Sequence, residues 1–339
     1  MLFSNVGRQT PTKPRTIAPA VASASVDLSF LQPGVLDPQL TFTRNSVASY
    51  FDATGSIQIA EAGVPRWEYD PVTLVLRGLM SEPARTNLLL NSAAPASQNV
   101  DVTAQPYVLT FYGTGSITWS GAASGTLVGA GPFPARATAS FTPAAGTLTC
   151  TVTGQVLYAQ IEAAGVTDYT SWVPTTDTTA TRAADVMSMP TDAWFNSVQS
   201  SLLGEFISPL VSVSGARCVA GINDGTINNR LAVYALAAGI NVSTTDVNSN
   251  NAGVVTVSTS ATVSPNVISK VAGTFNGTTQ TVCLNGTTPA SGVMTTPVGL
   301  NLLTIGSRIT SSTKFGGWIR RIQYWPRALS NAELQAVTT

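Results

Sequence analysis

Two sets of side chains in the C-terminal half of the chain could together hold a small polar ligand. One is a polar run that contains Asn223, Asp224, Asn228, Asn229 and Arg230, and the other is an aromatic set of Trp318, Tyr324 and Trp325. Proteins bind saccharides through aromatic rings that stack on apolar sugar faces and through a few fixed polar groups. These residue types therefore predict carbohydrate binding, with candidate contacts Asn223, Asp224, Asn228, Arg230, Trp318 and Tyr324.

The same residues also have structural interpretations, and the sequence leaves both open. Asn223-Asp224-Gly225 fits a tight turn as well as a binding loop. Trp318 and Tyr324 fit core positions of a strand as well as surface positions. The elements that carry these side chains decide between the two interpretations.

Catalysis by the common histidine-based mechanisms is excluded, because the chain has no histidine. That absence removes Ser-His-Asp and Cys-His designs and most zinc sites. A glycosidase would need two carboxyl groups that face each other across a sugar. Among the 17 acidic residues, Asp192, Glu205 and Asp224 could form such a pair only in three dimensions. We expect a protein without enzymatic activity.

The low charge of the chain limits its partners. Only 10% of the 339 residues are charged, and the formal net charge is zero. Nucleic acids and anionic membranes attract basic surfaces, so neither is an expected partner. The N-terminus lacks the apolar core of a signal peptide, and no apolar run reaches the roughly 18 residues of a membrane span. We therefore expect synthesis in the cytoplasm and no membrane insertion.

The stretch from Lys270 to Val337 predicts a β-meander closed by a short helix. Asn276-Gly277 and Asn285-Gly286 supply the positive-φ residues of hairpin turns between β-favouring runs. Ser330 and Glu333 have the spacing of a helix capping box. The sequence thus predicts strands before Trp325 and a helix after it.

This C-terminal stretch resembles the laminin-G or concanavalin A-like jelly-roll family. The resemblance rests on Gly273-Thr-Phe-Asn-Gly277, on Ile305-Gly306 and on the aromatic strand that leads into Arg327-Ala-Leu-Ser. It implies a two-sheet antiparallel jelly roll at residues 187–339. Some family members hold calcium, but Asp224 with neighbouring amides supplies few ligands for a hard cation, so we expect no cofactor. The chain departs from the family at Arg320, where an acidic residue is common.

Residues 26–92 form short strand-length runs separated by Gly, Pro and Asp-Pro turns. Arginines recur there beside acidic residues, which predicts paired guanidinium and carboxylate groups. The runs L-T-F-T-R at 40–44, G-V-P-R at 63–66 and E-P-A-R-T-N at 82–87 resemble a connector in fibre and head-spike proteins of tailed bacteriophages and gene-transfer-agent particles. The resemblance implies a virion protein.

Residues 93–186 predict a second, smaller β unit. In Thr147–Thr153 the apolar side chains of Leu148, Cys150 and Val152 alternate with threonines, which is typical of a strand with one buried face. The motifs at 160–162, 169–175 and 181–185 resemble the carbohydrate-binding-module-like sandwich that follows the connector in the phage proteins. The remaining segment, 1–25, is rich in proline and lacks periodicity, which predicts a flexible arm.

The predicted architecture is therefore all-β, with tandem antiparallel sandwiches behind a flexible arm: an arm at 1–25, a connector at 26–92, a small sandwich at 93–186 and a jelly roll at 187–339. The resemblance implies a virion-surface fibre or spike. The arm either anchors it to other virion proteins through Leu2, Phe3 and Arg8 or is a frayed chain terminus. The resemblance further implies a homotrimer that presents the jelly roll to host-surface glycans. A purely structural fibre or capsid decoration protein and a polysaccharide depolymerase are the alternatives.

Overall fold

The structure is a computed structural model that describes residues 21–163, 169–209, 217–235, 244–248, 254–259, 262–309 and 312–339. It confirms the all-β prediction, because antiparallel sheets make up nearly all of the regular structure. The predicted anchor residues Leu2, Phe3 and Arg8 lie outside the described residues.

The strands are numbered along the chain. Those in residues 26–87 are β1 Val26–Ser29, β2 Thr41–Thr43, β3 Ala48–Phe51, β4 Ile57–Ala60, β5 Trp67–Tyr69, β6 Leu76–Ser81 and β7 Arg85–Asn87. Those in residues 98–190 are β8 Gln98–Val102, β9 Tyr107–Gly113, β10 Ser116–Gly121, β11 Gly125–Val128, β12 Gly131–Phe141, β13 Gly146–Thr153, β14 Leu157–Ala163, β15 Ala180–Arg182 and β16 Val186–Pro190.

The remaining strands belong to the C-terminal part. They are β17 Gln199–Ile207, β18 Arg217–Asn223, β19 Arg230–Ala235, β20 Thr244–Asn248, β21 Val254–Ser258, β22 Ile268–Asn276, β23 Thr279–Leu284, β24 Ala290–Val293, β25 Leu302–Ile305, β26 Ser307–Ile309, β27 Ser312–Lys314 and β28 Gly317–Trp325. Helix α1, Asn331–Thr338, closes the chain.

Two large sheets form the jelly roll. The first has the order β24-β23-β22-β17-β28-β6-β5, with β1 also paired to β28, and the second has the order β2-β16-β25-β18-β19-β20-β21. Their inner faces share one core, to which both sheets contribute fully buried side chains such as Leu202, Val271, Ile222 and Leu303. The sheets thus pack face to face, as in other antiparallel sandwiches.

The small sandwich pairs a four-stranded sheet, β11-β10-β13-β8, with a three-stranded sheet, β12-β9-β14. Its separate core contains Leu109, Phe111, Ile117 and Leu148. The alternation predicted for β13 is confirmed, since Leu148 and Cys150 are buried and the threonines between them are exposed. One face of this strand packs against the core and the other meets solvent.

Strands from the predicted connector join both sheets of the jelly roll. In the first sheet β1 and β6 both pair with β28, and β5 pairs with β6. In the second sheet β2 pairs with β16. Residues far apart in sequence therefore meet at the edge of the jelly roll, while the predicted boundaries at 25, 92 and 186 stay predictions.

The turns and the helix follow the sequence prediction. Gly277 has a φ of 63° in the β22–β23 hairpin, and Asn285 and Gly286 have φ values of 47° and 69° between β23 and β24. Ser330 and Glu333 form the predicted capping box of α1. No helix among the described residues is long and apolar enough to cross a membrane.

Candidate functional site

The predicted polar loop connects β18 to β19 in the second sheet. Asn223 is buried at its start, where Nδ2 donates to Thr304 Oγ1 and to Arg308 O, both at 3.1 Å. The oxygen of the same amide accepts a hydrogen bond from Gly225 N at 2.9 Å. The Asn223 side chain is thus engaged within the protein.

Asp224 stabilises the loop by accepting three hydrogen bonds from other loop residues. Its Oδ1 accepts hydrogen bonds from Thr226 N at 2.9 Å and Thr226 Oγ1 at 2.7 Å, and its Oδ2 accepts one from Asn229 Nδ2 at 2.9 Å. Burial raises the pKa of Asp224, but the bonds from Thr226 and Asn229 outweigh it and lower the pKa. These contacts describe an Asx turn.

The other two predicted loop residues differ in burial: Arg230 is buried and Asn228 is half-buried. Arg230 is 2% exposed and donates from Nη1 to Ile227 O, so its buried guanidinium stabilises the loop. Asn228 is half-buried and its backbone N–H donates to Thr226 Oγ1. The four predicted loop residues are brought together, and saccharide binding by them stays a prediction.

Trp318 and Tyr324 lie in the core rather than on the surface, on β28 of the other sheet. Tyr324 is 0% exposed. Its ring meets that of Trp194 edge-on at 4.8 Å between centroids, and its Oη accepts a hydrogen bond from Asn196 N at 2.8 Å. Trp318 is 5% exposed and packs on Met80 and Ile207. Neither ring offers a face on which a sugar could stack.

The structure gives no support to calcium at Asp224. In the part of the chain that the structure describes, no group of three or more His, Cys, Asp or Glu side chains is placed to hold a metal ion. The Asp224 oxygens already accept three hydrogen bonds from their own loop.

The connector motifs meet in a buried arginine network of Arg44, Arg66, Arg182, Glu82 and Asp185. Asp185 accepts from Arg44 at 3.1 Å and from Arg66 at 2.7 Å. Glu82 lies 2.9 Å from Arg66 and 2.5 Å from Arg182. All five residues are at most 5% exposed. The predicted ion pairs are confirmed for Arg66 with Glu82 and for Arg77 with Asp70. Arg44 instead pairs with the distant Asp185.

Ser171 completes the shell around Glu82. Its N–H and its hydroxyl each donate to the Glu82 carboxylate at 2.7 Å. Burial raises the pKa of Glu82, but Arg182, Arg66 and the Ser171 hydrogen bonds lower it to about 2. The carboxylate is therefore ionised at neutral pH. This network fixes the strands of the connector against β15, and its two carboxylates are not open to a substrate.

A surface cleft of about 380 Å³ lies where the β7–β15 ribbon meets the small sandwich. Its lining comes from four segments: Ala84, Arg85, Thr86, Leu88, Gln105, Tyr107, Ala163 and Thr181. We call it the Arg85 cleft. It combines one guanidinium, three hydroxyls and an amide with small apolar side chains, the usual make-up of a small-molecule site.

Sequence reasoning noticed Arg85 as part of a motif but not as a site residue. Arg44, Arg66 and Arg85 occupy similar contexts in the sequence, and acidic residues lie near all of them. Only the folded chain shows that the first two face buried carboxylates and the third lines a cleft. Thr181 was noticed only as part of the motif at 181–185, and Gln105 carries no signal in the sequence.

Comparison with protein families places the C-terminal part of the chain in a known class. Residues 207–335 match Laminin_G_3, the concanavalin A-like lectin/glucanases superfamily. The match agrees with the jelly-roll resemblance of the C-terminal stretch in the sequence. No curated protein matches the chain in sequence.

Several solved structures are similar to part of this chain at low identity. The CBM40 domain of the Ruminococcus gnavus IT-sialidase, bound to α2,3 sialyllactose, is 19% identical, with 41% of this chain and 82% of that chain covered and a TM-score of 0.34. Domain 4 of AbnA, a GH43 extracellular arabinanase from Geobacillus stearothermophilus, in complex with arabinotriose, is 13% identical, with coverages of 46% and 73% and a TM-score of 0.38.

A third similar structure is the native heptameric SAP-like pentraxin from Limulus polyphemus. It is 11% identical and has a TM-score of 0.31, with 76% of this chain and 82% of that chain covered. Likeness at this level does not identify a ligand.

Proposed function

We propose that this chain is a non-enzymatic virion fibre or spike protein whose lectin-like domain attaches the particle to glycans on the host surface. The match of residues 207–335 to the concanavalin A-like lectin/glucanases superfamily carries the glycan-binding part of the proposal. The two-sheet jelly roll of those residues supports it.

The placement of the acidic side chains favours binding over hydrolysis. A glycosidase needs two carboxyl groups on either side of an open sugar site. Within the described residues, Glu82 and Asp185 share the guanidinium of Arg66, yet they are only 5% and 1% exposed. Asp224 is engaged by its own loop. A depolymerase would need a different pair.

The virion part of the proposal rests on the connector motifs. The arginine network gives those motifs a physical role, since it locks the strands of residues 41–87 to residues 180–185 and thereby produces a stiff unit. A stiff connector suits a fibre or spike that is anchored to other virion proteins by the N-terminal arm. In a homotrimer, weak contacts to several glycans would add up through effective concentration.

Electron microscopy of intact particles, labelled with an antibody raised against the full chain, tests the virion assignment. Label on a spike or on a fibre tip is the expected result, and particles without label would contradict the proposal. Host cells are incubated in parallel with the purified full chain and with free sugars as competitors. Cell binding that free sugars reduce is expected.

The structural alternative makes a different prediction in the same experiment. A decoration protein would label the particle without binding cells, and particles that lack it would adsorb normally. Release of reducing sugar from host polysaccharide would favour the depolymerase.

A further inference from the structure

We propose that the Arg85 cleft binds the carboxylate of an acidic saccharide, so that uronic or sialic acid units are among the glycans this chain recognises. This inference rests on the proposed function and names the class of glycan. It adds a glycan contact at the junction of the small sandwich with the β7–β15 ribbon to the one proposed for the lectin-like domain.

The guanidinium of Arg85 has hydrogen-bond donors that no acceptor among the described residues pairs with. Its side chain is 21% exposed. Among the described residues, its hydrogen bonding is limited to Nη1, which donates to Ala84 O at 2.9 Å, and its buried Nε has no acceptor. A buried donor without an acceptor is costly. A ligand carboxylate would supply acceptors in the fork geometry that arginine favours.

The nearest carboxylate does not fill this role. Glu162 Oε2 lies 3.9 Å from Arg85 Nε, beyond hydrogen-bond distance. Glu162 instead accepts from Thr170 N, Thr170 Oγ1 and Gln160 Nε2 at 2.7 to 2.9 Å. Burial raises its pKa in spite of those bonds.

The rest of the cleft suits a sugar ring. The hydroxyls of Thr86 and Thr181 lie 2.7 Å apart across the β7–β15 ribbon, and both can also bond to a ligand. Tyr107 Oη lies 3.1 Å from Gln105 Nε2 on the opposite side, and Leu88 adds apolar surface. The volume of about 380 Å³ is at the lower end of ligand sites, which fits one or two sugar units.

Titration of the full chain with acidic sugars tests the inference. The probes are galacturonate, glucuronate and N-acetylneuraminate, each compared with its methyl ester, which keeps the ring and removes the charge. Isothermal calorimetry is expected to show at least one acid that binds about tenfold or more tightly than its ester, the scale of a charge-assisted hydrogen bond. Arg85→Gln should abolish that difference.

Two further variants separate an effect on binding from an effect on folding. Thr181→Val changes an exposed hydroxyl on the cleft wall and should weaken binding of the acid severalfold with an unchanged melting temperature. Arg321→Gln removes an exposed arginine on β28, which pairs with Asp27, and should leave binding unchanged.

The outcomes separate this inference from the proposed function. If no acid binds more tightly than its ester, or if Arg85→Gln leaves the preference intact, the acidic-sugar site is wrong, while glycan binding elsewhere on the chain still stands. If the full chain also retains no glycan on a broad array of neutral and acidic glycans, the proposed glycan attachment fails as well.

Discussion

The arginine network and the Arg85 cleft use arginine side chains in opposite ways. In the network, Arg44, Arg66 and Arg182 are at most 1% exposed, and each reaches a carboxylate within 3.1 Å. In the cleft, Arg85 is partly exposed and its nearest carboxylate is 3.9 Å away. A guanidinium whose acceptors are supplied by the protein stabilises the fold, and one whose acceptors are missing can bind a ligand.

The comparison separates structural motifs from binding motifs within one stretch of sequence. Arg85 lies only three residues after Glu82, yet Glu82 is committed to Arg66 and Arg182. Strand pairing explains the difference. Arg85 lies opposite Arg182 in the β7–β15 ribbon, and Arg182 is the residue that pairs with Glu82. The nearest acidic residue in the sequence is therefore not the partner of Arg85, although it is for Arg77, which pairs with Asp70.

The largest effect is expected for breaking the network. Asp185→Ala removes a carboxylate that two buried arginines share and leaves Arg44 without a carboxylate partner. A buried charge left unpaired typically costs about 3 to 5 kcal/mol. Arg85→Gln is the matched change in the cleft and should shift the free energy of unfolding by about 0.5 kcal/mol or less. Denaturant titration of the two variants measures the contrast, and similar losses of stability would refute it.

Two glutamates should give stability opposite responses to pH. Burial, opposed by Arg77, raises the pKa of Glu68 to about 8. Its folded state then holds a proton that the unfolded chain has lost, so stability falls as pH rises from about 4.5 to 8. Because the pKa of Glu82 is about 2, its contribution is present above about pH 4.5 and is lost as pH falls towards 2.

Glu68→Gln tests that contrast. The variant keeps the shape and removes the titration, so the wild type should lose about 3 kcal/mol relative to it between pH 5 and pH 8. Unfolding at several pH values is the measurement. Parallel pH curves for the two proteins would show that Glu68 is ionised in the folded state.

A smaller effect is expected for the buried tyrosine that was a candidate for sugar stacking. Tyr324→Phe leaves Asn196 N–H without its acceptor and should cost about 1 to 3 kcal/mol. Glycan binding should not change, because the ring is 0% exposed. A loss of binding at unchanged stability would restore Tyr324 as a site residue.

The smallest effect is expected at the polar loop. Asp224→Ala removes a carboxylate that bonds mainly to its own turn and should cost about 1 kcal/mol. Removal of calcium with a chelator should leave the melting temperature of the wild type unchanged. A calcium-dependent rise in that temperature, lost in Asp224→Ala, would assign a metal to the loop.

The sequence predicted the local features of the fold well. Asn276-Gly277 marks a hairpin and Ser330 a helix start because turns and caps depend on a few adjacent residues. It could not separate core from surface on β28, where both Trp318 and its neighbour Ile319 are buried. A strand covered on both faces loses the alternation that would reveal its exposed side.

The candidate site was less predictable for a similar reason. The Arg85 cleft takes its lining from residues 84–88, 105–107, 163 and 181, which meet only after the small sandwich has packed against the β7–β15 ribbon. The residues of the arginine network were noticed because they recur as motifs. Their pairing needed the fold, since the acid at residue 185 serves arginines at 44 and 66.

Glycan binding is the central claim, and a glycan array probed with the labelled full chain tests it most directly. The array carries neutral glycans and their acidic counterparts, and Arg85→Gln is applied in parallel. We predict retention of a subset of glycans, enriched in those with a carboxylate, and loss of that enrichment in the variant. An array on which the wild-type chain retains no glycan would contradict the account.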